Sequence, residues 1–233
     1  YMAQCLVKLG CPKEKVKVHR LGVEVEQLAF VPRRWTNDGP LRVLIAGTFR
    51  EKKGIPYGLE AIAMLRDVYP DVQITIIGDS TGEIRGEKEK AKILSVITRH
   101  RLENVTRLLG FQPYEVLMGQ AYQHHIFLSP SVTASDGDTE GGAPVVLTEM
   151  VATGMPVVAT RHCDIPEIVK HGETGLLAPE RDPSELASHL RWLVEHPDEW
   201  DRMVSAGRQH VEQTYNVKIQ GARLARIYVD MLE

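Results

Sequence analysis

From residue 41 onward, short runs of β-branched residues alternate with stretches whose apolar positions recur at helical spacing. That alternation predicts an α/β, Rossmann-like fold, a parallel sheet with helices on both faces. Residues 41–47 (Leu-Arg-Val-Leu-Ile-Ala-Gly) read as the first strand, and Pro56 opens a helix with Leu59, Ile62 and Ala63 on one face. Residues 72–78 give the second strand. A charged helix over about 84–101 then turns Ile93, Leu94 and Ile97 inward, and residues 105–109 supply the third strand. The unit repeats as helix 113–122, strand 125–128, helix 144–153, strand 156–160 and a short strand at Leu176-Leu177.

The last third is helical. Asp182-Pro183-Ser184-Glu185 is a capping box with proline in the first turn, followed by Leu186, Leu190, Leu193 and Val194. Pro197 ends that helix, and the next carries Trp200, Met203, Val204 and Val211 on one face. A final helix after Asn216 has a stripe of Leu224, Ile227, Tyr228 and Met231, which calls for an apolar cover. Residues 1–34 break the alternation: a short helix over 3–9, a brief strand at Val16-Lys17-Val18 and a loop through Pro32-Arg33-Arg34 are too little for a core. They read as the tail of a preceding domain and a linker, with residues 35–233 as the Rossmann-like domain. A start without methionine agrees with a piece of a longer protein.

Composition narrows the function. The 233 residues are 43% hydrophobic and 25% charged, ordinary globular usage, and a net charge of −3 offers no broad basic surface for nucleic acid. No apolar run approaches the roughly 20 residues that span a bilayer. Cys5, Cys11 and Cys163 are odd in number and lack a CxxC pair, so neither a disulfide framework nor a zinc site is indicated. A reducing, cytoplasmic setting fits.

In an open parallel sheet, ligands collect beyond the carboxyl ends of the strands, which directs attention to the loops after Gly47, Gly78, Leu109, Leu128 and Thr160. The longest, residues 129–144, ends in Glu140-Gly141-Gly142-Ala143-Pro144 before a helix whose first turn has no acidic side chain. The amides of Gly141, Gly142 and Ala143, with the helix dipole behind them, suit a phosphate or diphosphate. A flexible acidic loop with a glycine helix start is the plainer reading. No strand-helix turn carries GxGxxG, which argues against a nicotinamide dinucleotide.

The segment from Glu140 to Glu149, with its continuation Gly154-Met155-Pro156-Val157-Val158-Ala159-Thr160, resembles the paired-glutamate motif of retaining glycosyltransferases with the two-domain GT-B fold (glycosyltransferase group 1, family 4). The resemblance runs over about residues 35–233, and Arg20-Leu21-Gly22-Val23-Glu24 is similar to that family's passage between domains. It implies the C-terminal, donor-binding half of such an enzyme. By its motif, Glu140 contacts the donor sugar and Glu149 accepts the ribose hydroxyls, while the neighbouring glycine amides hold the diphosphate. Here the pair stands nine positions apart, one more than the family pattern, and Gly141-Gly142-Ala143 can take up the extra residue as a bulge.

The same resemblance implies an arginine and a lysine on the turn after the first strand. In Gly47-Thr48-Phe49-Arg50-Glu51-Lys52-Lys53-Gly54, Lys53 matches the lysine, whereas the arginine position holds Thr48. Either Arg50 supplies that charge or the site relies on Lys53 and amides; a merely solvated basic turn is the alternative. Gly78-Asp79-Ser80 and Gly110-Phe111-Gln112-Pro113 are expected to frame the nucleotide. Asp136 and Asp138 form a DxD pair, but such pairs hold metal in a different glycosyltransferase topology, so no metal is expected. His124-His125 suit buried or capping roles better than metal ligation, and His162-Cys163 either face the cleft or fill space.

The reading is thus a parent enzyme transferring a sugar from a nucleoside diphosphate sugar to a glycan or lipid acceptor bound by a missing N-terminal domain. No cofactor or nucleic acid is expected, and the fragment alone should be inactive. The parent would be cytoplasmic or peripheral to the inner membrane, and the last helix is a candidate for self-association. A noncatalytic domain or an epimerase fragment are the rivals.

Overall fold

The computed structural model describes residues 1–36 and 38–232; Asn37 and Glu233 lie outside the described residues. Six strands form one sheet: β1 (Leu41–Ala46), β2 (Val72–Ile77), β3 (Thr106–Leu108), β4 (Ile126–Ser129), β5 (Val157–Thr160) and β6 (Leu176–Ala178). All pairs are parallel and the order is β3-β2-β1-β4-β5-β6. The α/β expectation holds. The β-branched runs are continuous because both faces of the sheet are buried.

Side-chain alternation sorts the strands into two cores. On β1, Leu41, Val43 and Ile45 join one cluster with Ile55, Leu59, Ile93 and Leu186, whereas Leu44 joins the opposite one with Met118, Leu147, Ile165 and Val211. The first face is covered by α2 (Ile55–Arg66), α3 (Ile84–Arg99) and α7 (Pro183–Glu195). The second carries α4 (Tyr114–Gln123), α5 (Val145–Ala152), α6 (Ile165–Ile168) and α8 (Trp200–Thr214). The capping box is visible at α7, where the Glu185 amide donates to Asp182 Oδ1 at 2.9 Å.

Three local expectations are corrected. Residues 16–18 form no strand: a short 3₁₀ turn at Lys13–Lys15 precedes them, and Val18 is exposed, with no sheet edge beside it to pair with. On α3 the inward face is Ile93, Val96 and Ile97, and Leu94 is exposed, because a single turn puts positions i, i+3 and i+4 together. Along α9 (Val217–Leu232) only Gln220 is fully buried among the described residues; of the stripe, Leu224 and Ile227 are half-buried while Tyr228 and Met231 are exposed, so the described residues cover it only in part.

The N-terminal segment is fastened to the body. It begins with α1 (Met2–Lys8) and later buries Val23, Val25 and Leu28 in the second core. Arg33 lies deep, donating to the carbonyls of Ala121, His124 and Thr153 at 3.0, 3.2 and 3.0 Å, with its guanidinium over the Tyr122 ring. Burial pulls its pKa down to about 10, which leaves it charged at neutral pH. Arg208 of α8 completes the fastening, reaching the carbonyls of Leu28 and Ala152 at 2.7 and 2.9 Å. The carbonyls at the C-terminal end of α5 are thereby capped by cations, as the helix dipole favours.

Candidate functional site

Strand order reverses between β1 and β4, so the loops leaving them diverge to opposite sides and open a crevice at their carboxyl ends. The two loops nevertheless touch at their bases. The Val132 amide donates to Lys52 O at 2.8 Å, and Gly54, in the left-handed region at φ 60°, lies where a Cβ would fall 1.8 Å from Pro130 O. Only glycine permits that crossing. Beside it, Gly47 leaves room for the Lys53 stem, whose Cδ would sit 3.1 Å from a Cβ there.

This crossing brings Lys53 to Glu140. Nζ lies 2.9 Å from Glu140 Oε2, and the Ser131 hydroxyl donates to Oε1 at 2.9 Å. The Glu140 side chain is only 6% exposed, so the pair is shielded from water and its charges act strongly on anything admitted beside them. Main-chain support comes from the Glu140 amide, which donates to His162 Nε2 at 3.1 Å.

The rest of the acidic loop folds over the basic turn. Asp138 meets Arg50 Nη2 at 3.2 Å and Lys52 Nζ at 3.1 Å, Glu83 lies 3.5 Å from Arg50 Nη1, and Asp136 pairs with Arg85 at 2.7 Å. Arg50 thus stands near Lys53 but is engaged by two carboxylates. The aspartates of the DxD pair face cations, and among the described residues no group of three or more His, Cys, Asp or Glu side chains is placed to hold a metal ion.

Behind Glu140, Gly141 adopts φ 72° and its amide donates to Thr139 Oγ1 at 3.1 Å, forming a bend before Pro144 and α5. The first turn of α5 carries no acidic side chain, and Gly142 and Ala143 lie on its approach. Glu149 sits further along the helix, its Oε1 accepting from the Tyr114 hydroxyl at 3.1 Å. Burial raises the Glu149 carboxyl above its ordinary value, only partly offset by that hydroxyl. Tyr114 is pushed up to about 12 by burial and by the Glu149 charge. A crevice of about 470 Å³ opens beside the pair, lined by Val23, Glu24, Leu28, Met118 and Tyr122 among others.

The remaining expected residues form the rim. The Gly78 amide donates to Gly110 O at 2.8 Å, tying together the loops after β2 and β3, and Phe111 projects with 55% of its surface exposed. His124 and His125 lie away from the crevice: His124 Nδ1 donates to Gln120 O at 2.6 Å, and His125 Nδ1 accepts from the Arg42 amide at 3.0 Å. Burial, then Arg42, hold His125 down to about 4, so it is neutral and a good acceptor.

Tyr114 and Glu180 escaped the sequence reading. Tyr114 opens the helix directly after the Gly110 loop, so a search extended by one helical turn would have reached it. Glu180 lies just past β6, at a strand end like those searched, and accepts from the Thr133 amide at 2.7 Å and from His162 Nδ1 at 2.6 Å.

A doubly wound parallel sheet with a glycine-led helix, a shielded lysine–glutamate pair and a helical glutamate near its switch point makes this an α/β, Rossmann-like domain with its candidate site at the strands' carboxyl ends. A family model for glycosyl transferases group 1 matches residues 31–210, and the chain belongs to that family. It is 38% identical to the amylovoran biosynthesis glycosyltransferase AmsK of Erwinia amylovora, over 95% of this chain and 52% of that protein. It is 34% identical to the putative colanic acid biosynthesis glycosyltransferase WcaL of Escherichia coli K12, over 95% of this chain and 53% of that one. The chain therefore spans about half the length of the curated relatives it matches. Among solved structures, Anabaena Alr3699/HepE in complex with UDP-glucose superposes with a TM-score of 0.83 at 21% identity, covering 98% of this chain and 61% of that one.

Proposed function

We propose that this chain is the donor-binding half of a retaining, metal-independent glycosyltransferase that moves a sugar from a nucleoside diphosphate sugar to a glycan or lipid acceptor. The observation that carries the reading is the Lys53–Glu140 pair at the switch point, with Glu149 on the following helix. In this reading Glu149 accepts the ribose hydroxyls, displacing the Tyr114 hydroxyl that holds it. The diphosphate lies against the Gly142 and Ala143 amides, and Lys53 turns from Glu140 toward it. As the bond from the anomeric carbon to the diphosphate breaks, the Lys53 ammonium stabilises the charge on the departing oxygen, and Glu140, released from Lys53, accepts from sugar hydroxyls. A new bond forms to the acceptor oxygen, with the acceptor proton and the nucleoside diphosphate released.

The names of AmsK and WcaL support a growing polysaccharide as acceptor, and the HepE complex with UDP-glucose supports a UDP-sugar as donor. Residues 1–34 are read as the tail of an acceptor domain with its linker, and 35–233 as the donor domain. No described helix is long and apolar enough to cross a membrane, and a cytoplasmic location, at the membrane surface if the acceptor is a lipid, belongs to the same proposal. The exposed apolar face of α9 is the proposed self-association surface of the isolated chain.

Isothermal titration of the chain with UDP, GDP and ADP in the presence of chelator tests the reading. Saturable binding of at least one nucleotide is expected. Folded protein that binds none of them would overturn it in favour of a noncatalytic domain.

A further inference from the structure

Three successive strands, β4, β5 and β6, each deliver one residue from the loop at their carboxyl end to a single chain of hydrogen bonds. Glu180, after β6, bonds His162 Nδ1 at 2.6 Å; His162, after β5, bonds the main-chain amide of Glu140 at 3.1 Å; Glu140 follows β4. The chemistry of the donors fixes the imidazole. A backbone amide only donates, so Nε2 must present its lone pair, and the hydrogen of the neutral ring therefore sits on Nδ1 and points at the carboxylate. The ring is 1% exposed, and so it cannot exchange these partners for water.

Glu180 is itself braced. Its other oxygen accepts from the Thr133 amide at 2.7 Å, with Arg181 Nη1 at 3.6 Å, and although burial would raise its pKa, the Thr133 amide and His162 together hold it below the ordinary value. Next to the ring, Cys163 takes a left-handed backbone at φ 46° and sets its thiol 3.1 Å from Nε2. That backbone is unfavourable for a residue other than glycine, so the surrounding packing imposes this turn.

We propose that His162, fixed by Glu180, is a positioning residue that holds the Glu140 main chain and so aims the Glu140 carboxylate at the sugar of the bound donor. The proposal rests on the reading of Glu140 as the sugar-contacting carboxylate. Its physical content is that the loop entering α5 contains Gly141 and Gly142, which restrain their neighbours weakly, while the side-chain partners Lys53 and Ser131 are released or shared when a donor enters. Of the three partners Lys53, Ser131 and His162, only His162 engages the Glu140 main chain rather than its carboxylate.

The test compares each sugar nucleotide with its parent diphosphate, using UDP-glucose and UDP, GDP-mannose and GDP, and ADP-glucose and ADP, on the wild-type chain and on His162→Phe, His162→Gln and Glu180→Gln. His162→Phe keeps a buried ring but removes the acceptor, and should weaken the sugar nucleotide by roughly two- to tenfold, the range of one net hydrogen bond, with the parent diphosphate unchanged. His162→Gln, whose amide oxygen can reach the Nε2 place, should recover most of the loss. Glu180→Gln keeps an acceptor for Nδ1–H and should show a smaller loss in the same direction; it serves if His162→Phe does not fold. A wild-type chain that binds none of the six ligands overturns the donor-site reading and the positioning role with it. Wild-type binding with both ligands weakened equally, or neither weakened, in the folded variants overturns the positioning role alone.

Discussion

Glu140 and Glu149 are both half of one motif, yet they are held in opposite ways. Glu140 rides on a glycine-flanked loop and is saturated: a lysine, a serine hydroxyl and, through its amide, a histidine all engage it. Glu149 rides on a helix, and its carboxylate accepts from Tyr114. The helix fixes the direction of Glu149 before any ligand arrives, whereas the direction of Glu140 is the product of a network that the ligand must partly rearrange. A preset carboxylate suits a constant part of the substrate and an adjustable one suits a variable part. The nucleoside is the former and the sugar the latter, which matches the division of roles proposed above.

Removing the carboxylates gives the largest effect and tests that division directly. Glu149→Ala should cost roughly 1.5–3 kcal/mol of nucleotide binding, the worth of hydrogen bonds to a charged acceptor. Glu140→Ala should spare the free nucleotide and weaken the sugar nucleotide; equal losses on both ligands for both variants would erase the contrast.

Next in size is the response to acid. Because burial raises the Glu149 carboxyl, nucleotide affinity should begin to fall on acidification at a higher pH than the ordinary carboxylate value of 4.5 would give. Stability should move the other way: a folded-state pKa above the unfolded one stabilises the protein at low pH, and that contribution is lost as pH rises through the folded value. Thermal melts of wild type and Glu149→Gln at neutral pH should therefore show the variant equal or higher. An affinity profile flat down to the ordinary carboxylate range would mean that Glu149 does not bind through its charge.

The smallest effect is expected at Asp138, which engages Arg50 and Lys52. Partly exposed pairs of this kind are worth about 0.2–1 kcal/mol, so Asp138→Asn should tighten diphosphate binding by roughly twofold, measured by titration at low salt. Weaker binding instead would show that Asp138 aims those cations at the ligand.

Much of the fold was legible because strands buried on both faces leave continuous β-branched runs, as in Val72–Ile77, and because proline and the Asp182 cap mark helix starts. Lys53 and Glu140 both stand in loops at strand ends, which lets them meet, but nothing local in the sequence marks their ion pair. What the sequence hid were contacts between distant segments. Arg33 reads as a basic loop residue until three carbonyls from α4 and α5 and their flanks close on it, and Val16–Val18 has strand composition but no neighbouring edge. Tyr114 on Glu149 and Glu180 on His162 are likewise partnerships across 35 and 18 positions, which no local pattern announces.

The arginine fastening at the end of α5 has a mechanical consequence. Eight residues of helix make a strut of only about 12 Å. One end is gripped by Arg33 and Arg208 together with the linker they hold, and the other end leads back to Gly142 and Ala143. So short a strut tilts rather than bends, so the linker and the loop entering α5 are joined through one rigid element. Residues 25–33 and the loop that carries Glu140 are in this sense held to the two ends of a single lever.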